Sequence, residues 1–206
     1  MNLEKIYSEL LLNIGFPLNE IQQNWVNLEK AYSGKSRHYH NLTHLKDMIV
    51  SFKHYAVQVQ NPNEILFSIF YHDYIYKSSK KDNELKSAEY ALSILPENSS
   101  LDKQLIFDAI CATQLHTHNT IEDINWLIDF DLKILTRDWE AYQIYYEQIR
   151  KEYRIYPDFL YKPGRAKALK HFLENEFIFQ TNEFRNLYEE KARSNIEREI
   201  SILEKK

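Results

Sequence analysis

Apolar residues recur at intervals of three and four along nearly the whole chain, the spacing that gathers side chains on one face of an α-helix. Leu3, Ile6, Tyr7, Leu10 and Leu11 form a first stripe, which stops near Gly15 and Pro17. Ile21, Trp25 and Leu28 form a second, and Ser33 to Tyr39 reads as a polar loop. Asn41 or Thr43 can then start a helix that turns Leu45, Met48, Ile49 and Phe52 toward a core, with QNPN (60–63) as its end. Asn63 is placed to cap the run EILFSIFYHDYIY, which is apolar nearly all round and so predicts a central helix carrying His72 and Asp73.

Further helices are predicted over ELKSAEYALSIL, stopped at Pro96, over LDKQLIFDAICAT and over DINWLIDFDLKIL. Two longer ones follow, at about Trp139 to Arg154 and Ala166 to Glu174, either side of a break at YPDFLYKPG. A last helix, about Asn182 to Glu204, carries Phe184, Leu187, Tyr188, Ala192, Ile196 and Ile200 on one face. No repeat, low-complexity tract or linker interrupts the pattern, so residues 1–206 are expected to form a single all-α domain, a helical bundle with additional C-terminal helices.

Composition agrees with that reading. Hydrophobic residues make up 44% of the 206 and charged residues 27%, enough of each for a packed core and a solvated surface. Three glycines and five prolines are too few for the many turns of a β-sandwich or barrel. A net charge of −4 offers no basic field for duplex nucleic acid. Cys111 is the one cysteine, so no intrachain disulfide can form; in FDAICAT it reads as a small buried hydrophobe. The N-terminal segment lacks a basic leader, and no run approaches the roughly 18 apolar residues of a membrane span. A reducing, cytoplasmic location is therefore expected.

Against this helical background some residues are not explained by packing. RHYHNLTHL (37–45) holds three histidines in nine residues, and His40 and His44, four apart at a helix start, can share a face. His72 and Asp73 sit in an apolar run, about 100° apart on a helix, so one ion bound by both must lie over the seam between them. Asp131 lies in DFDLKIL, again among apolar residues, with Asp129 as its competitor. A buried carboxylate is costly unless it finds a cation or changes its pKa. Two imidazoles and two carboxylates form a neutral set around one divalent ion, and mixed nitrogen and oxygen donors suit Mn, Fe, Co, Ni or Mg.

A His–Asp dipeptide alone says little; its order and context say more. RHYHNLTHL, FYHDYIY, DNELKSA, ATQLH, DFDLKIL, IRKEY and GRAKALKHFL, over about Arg37 to Thr181, together resemble the HD superfamily of metal-dependent phosphohydrolases, in particular a bacterial branch described only as predicted phosphohydrolases. The resemblance implies an all-helical fold and His44, His72, Asp73 and Asp131 as ligands of one divalent ion. It also implies hydrolysis of a small phosphate ester, with a nucleotide as the leading substrate, by a metal-activated water. His116, in QLHTH with His118, matches the position of an added ligand in members that hold two ions; with one ion it is expected to face the substrate phosphate.

The remaining assignments are weighed residue by residue. Glu84, in DNELKSA, can align or deprotonate the attacking water beside Asp73, or it is an ordinary first-turn acid that complements the helix dipole. Asn83 and Ser87 can share its face toward a ligand. Arg37, Arg150 and Arg165, with His40 and His116, are the candidates for contact with substrate phosphate, since guanidinium forks match its geometry; the competing reading of each arginine is a structural salt bridge. His38 is placed near the pocket mouth, and His54 and His171 on the surface. The principal alternative to a hydrolase is a catalytically silent nucleotide sensor or partner-binding module on the same fold. A third is a two-iron oxygenase.

Overall fold

The computed structural model describes residues 1–205, and among these ten α-helices and one 3-10 turn account for the regular structure, with no strand. The helices are α1 (Leu3–Asn13), α2 (Leu18–Tyr32), α3 (Leu42–Tyr55), α4 (Pro62–Tyr71), α5 (Asn83–Ser93), α6 (Lys103–Ala112), α7 (Glu122–Leu132), α8 (Trp139–Glu152), α9 (Asp158–Glu174) and α10 (Asn182–Leu203); the 3-10 turn covers Lys133–Thr136. The fold is the all-α bundle that the apolar spacing predicts, of the HD-like helical kind. No helix among the described residues is long and apolar enough to cross a membrane.

Local chemistry sets the helix starts. The side chains of Asn2, Asn41, Asp102 and Thr181 accept the backbone N–H groups of Lys5, Thr43, Leu105 and Phe184, each satisfying a donor that an α-helix start leaves unpaired. Gly15, at φ +94°, makes the left-handed turn that closes α1, a conformation that costs any other residue steric strain. The central helix α4 packs against α1, α3, α5, α6 and α7, and its Ile65, Phe67, Ile69, Phe70 and Tyr71 are all buried. At the C-terminal end α9 packs on α10, which also covers the 3-10 turn and α8.

The structure moves several predicted boundaries. The apolar run after Pro62 stops being helical at Tyr71, so His72 is the capping residue of α4 and Asp73 lies in the turn beyond it. Asn61 rather than Asn63 precedes this helix, because Pro62 occupies the first turn, where its missing N–H costs nothing. The predicted break YPDFLYKPG is largely helix: Pro157 is the residue before α9, while Pro163 and Gly164 lie within it. On α10, Leu187 is 63% exposed and leaves the buried stripe formed by Phe184, Ala192, Ile196 and Ile200.

Candidate metal centre

The first turn of α3, the C-terminal end of α4 and the C-terminal part of α7 converge, and they bring together His44, His72 and Asp131, a buried His–His–Asp cluster able to hold a divalent ion. His44 Nε2 lies 3.2 Å from His72 Nε2 and 3.1 Å from Asp131 Oδ1. Asp73 stands beside them, with Oδ2 3.1 Å from His72 Nε2 and 3.9 Å from His44 Nε2. Donor atoms each about 2.1 Å from one ion stand roughly 3.0–3.4 Å apart when they are neighbours in its shell, so the spacings from His44 to His72 and to Asp131 fit a shared cation. The turn that ends α4 is what allows this: it re-aims Asp73, and the 100° separation expected on a continuous helix no longer applies.

Tautomers follow from the surrounding bonds. His72 Nδ1 donates to the Ile69 carbonyl at 2.9 Å, which leaves Nε2 as the atom facing the cluster. Burial disfavours a charged ring at His72, but Asp73 and Asp131 outweigh it and raise its pKa to about 9. Burial likewise opposes charge on the two carboxyls, and the surrounding histidines overcome it and hold both well below the usual carboxylate range. The cluster thus attracts positive charge, as protons on imidazole or as a metal cation.

Asp131 also reaches a third imidazole: its Oδ2 is 2.9 Å from His116 Nε2. Since a carboxylate accepts, Nε2 of His116 carries the proton, and the ring orients Asp131 from the side away from His44. His116 pays for this place with φ +54°, left-handed backbone in a residue that has a Cβ. Asp129, the competitor of Asp131, faces elsewhere. It accepts the backbone N–H groups of Gln180 and Thr181 and the Thr181 hydroxyl, which ties α10 to α7; burial raises its pKa to about 7 against these bonds. Asp123 does the same for the start of α4 through the N–H groups of Gln60 and Asn61.

His40 is held by a buried carboxylate that the sequence reading passed over. Glu152, at the end of α8, accepts the N–H groups of His38, Tyr39 and His40 on one oxygen, at 2.7, 2.8 and 3.0 Å. Its other oxygen accepts His40 Nδ1–H at 2.6 Å and the Tyr76 hydroxyl at 2.8 Å, and the Tyr76 ring stacks on His40. Burial opposes the charge of His40, but Asp73 and then Glu152 raise its pKa. His38 gives only its backbone to this knot, and His54 and His171 are exposed. One acidic letter in IRKEY, on a helix rich in charge, carries no sequence mark of such a role.

The three arginines are engaged in the protein itself. Arg37 donates to the carbonyls of His40 and Tyr74 and lies over the Tyr32 ring. Arg150 joins α8 to α9 through Asp158 and the carbonyls of Tyr153 and Tyr156. Arg165 pairs with Glu199 of α10 at 2.8 and 3.2 Å. Asn83 binds the carbonyls of Lys77 and Lys80, and Ser87 binds Ile75, so both brace the loop after Asp73. Cys111 is partly buried against the core.

Two of the hollows at the centre share His40, His116, Asp131 and Tyr153 as their common wall. One, about 470 Å³, is polar: Glu84 lines it with His72 and Asp73, and Lys80 and Lys81 stand at its edge. Burial raises the carboxyl pKa of Glu84, and the charge of Asp73 adds to this. The other, about 520 Å³, runs between α8 and α9 and is mainly apolar and aromatic. Lys80 and Lys81 read as ordinary loop residues in the sequence, because only the fold of the 74–82 loop brings them to this hollow.

No family model matches this sequence, and no curated protein or solved structure matches it either.

Proposed function

We propose that the chain is a metal-dependent phosphohydrolase of the HD type, acting as one unit on a small phosphate ester, with a nucleotide as the leading substrate. One observation carries the reading: two imidazoles and a carboxylate from three separate segments, His44, His72 and Asp131, converge closely enough to hold a single cation, with Asp73 beside them and a hollow large enough for a ligand next to them. A divalent ion held by His44, His72, Asp73 and Asp131 supplies Lewis-acid polarisation of a phosphoryl oxygen and lowers the pKa of water. Mn, Fe, Co, Ni and Mg all suit the mixed donor set.

The chain's own groups then divide the remaining work. His116 and His72 keep the carboxylates and imidazoles aimed, through their bonds to Asp131 and to the Ile69 carbonyl. Glu84, on the wall of the polar hollow, is the group placed to take a proton from an attacking water. Lys80 and Lys81 offer the positive charge for phosphate that the engaged arginines do not. The second reading is a silent nucleotide sensor, in which the same centre and hollow hold a nucleotide without turnover. Phosphate release from a panel of nucleotides and simple esters, with each metal added in turn and with EDTA as the control, separates the two. Metal-dependent turnover supports the hydrolase, whereas tight nucleotide binding without product under every metal supports the sensor.

A further inference from the structure

The 520 Å³ hollow between α8 and α9 has the size of a small-molecule site and one end at the proposed metal centre. Apart from the groups at that end, its ionisable lining is tyrosine and Arg165, whose guanidinium is matched by both oxygens of Glu199. No free charge is left inside to meet a second phosphate or a carboxylate. Tyr39, Tyr145, Tyr153, Tyr161 and Phe172 line it with aromatic rings, together with Leu169. On α9 the lining includes Gly164 and Ala168, one helical turn apart and both on the exposed side of the hollow. A glycine inside a helix is unfavourable, and a Cβ at 164 meets nothing within 4 Å, so packing does not explain it. The two smallest side chains therefore stand where a bulkier one narrows the hollow.

We propose that this hollow is the leaving-group pocket of the site, and that within the small phosphate esters it selects, in place of a nucleotide, a phosphate monoester of an uncharged, flat, largely apolar alcohol. The inference rests on the hydrolase reading for its chemistry and on the hollow alone for its binding. The phosphoryl group lies at the centre, with its free oxygens on the Lys80 and Lys81 side and its ester oxygen toward α9. Hydrolysis breaks the bond from phosphorus to that ester oxygen, a water oxygen forms the new bond, and one proton of the water ends on the released alcohol.

The test uses two probes, 1-naphthyl phosphate for turnover and 1-naphthol for binding, on the full chain and on Gly164→Leu and Ala168→Trp. Filling a pocket with several heavy atoms should weaken 1-naphthol binding by roughly tenfold or more. The unaltered protein should favour 1-naphthyl phosphate over glycerol phosphate in kcat/KM by at least about tenfold, and that ratio should fall by a similar factor in the variants. Circular dichroism and Tm identify a variant that fails to fold, and the other then serves. Naphthol binding that the variants abolish, with no ester hydrolysed under any metal, keeps the pocket and removes the hydrolase. Ester hydrolysis without preference between the two substrates, or naphthol binding unchanged in both folded variants, overturns the pocket and leaves the hydrolase standing.

Discussion

Asp131 divides its carboxylate between two histidines: Oδ1 faces His44 Nε2 at 3.1 Å and Oδ2 faces His116 Nε2 at 2.9 Å. His116 therefore sets the angle at which Asp131 meets the candidate ion, and it does so from strained backbone at φ +54°. Loss of such an outer partner costs metal affinity roughly 10–100-fold. Both His116→Ala and His116→Gly should weaken metal binding by that factor. Left-handed backbone costs a Cβ-bearing residue about 1 kcal/mol, so the glycine variant should melt above the alanine variant. Calorimetric metal titration and paired melting curves check both, and equal metal affinity in all three proteins would remove the orienting role.

Purified protein should bind about one divalent transition ion per chain. Binding to the folded state alone raises stability, by about 2.7 kcal/mol at a hundred times Kd, and Tm rises with it. His72→Ala should abolish that rise. The pKa of His72, about 9 in the metal-free chain, implies that the ion displaces a proton, so affinity should climb with pH until the ring is neutral and level off above. Titrations in buffers of different ionisation enthalpy would report the released proton. Metal content unchanged in His72→Ala would sink the ligand assignment.

The Glu152 knot predicts a pH window for stability. Burial works against the charge of Glu152, but the His40 ring, the Tyr39 N–H and the Tyr76 hydroxyl outweigh it and lower its pKa from 4.5 to about 2. A carboxyl whose pKa is lower in the folded state stabilises above its unfolded value and loses that contribution as pH falls. Here the loss begins near pH 4.5 and is complete near 2, and it amounts to about 3 kcal/mol. His40 is shifted upward, so its share is full below 6.5 and disappears as pH rises through its folded value. The two shifts partly count the same bond and do not add. Glu152→Gln should lower stability most between these limits and flatten the acid limb of urea unfolding measured against pH. An acid limb unchanged in the variant would contradict the assignment.

The helices were legible because apolar spacing is local, and His44, His72 and Asp131 stood out because polar groups in apolar runs need partners. Boundaries were less legible where one residue has two uses. Pro157 and Gly164 both read as breakers, yet one precedes α9 and the other lies inside it, beside open space. Asp129 and Asp131 are two residues apart in the same apolar helix; only the arrival of residues 180 and 181 from the far end of the chain shows that one holds the segment entering α10 while the other faces the histidines. Glu152 was invisible for the same reason, since its partners lie 76 to 114 residues earlier. Arginine forks suit a phosphate and a backbone carbonyl equally, and the sequence does not say which arrives.

Glu84 separates two readings most sharply. It lies in the first turn of α5, where an acid complements the helix dipole, and it also lines the polar hollow beside His72 and Asp73. Glu84→Gln keeps its shape and hydrogen-bonding capacity and removes the proton acceptor. A first-turn charge is worth about 0.3–1 kcal/mol of stability, whereas loss of a general base costs about 10²–10⁴ in rate. The catalytic reading therefore expects near-normal Tm, retained metal and at least a hundredfold drop in kcat. The helix-acid reading expects a small fall in Tm and turnover close to the parent's. Metal content guards against a third outcome, in which kcat falls because the ion is lost. Metal content, Tm and kcat on that one variant decide the matter, and turnover within a few-fold of the parent, with metal retained, would take Glu84 out of the chemistry.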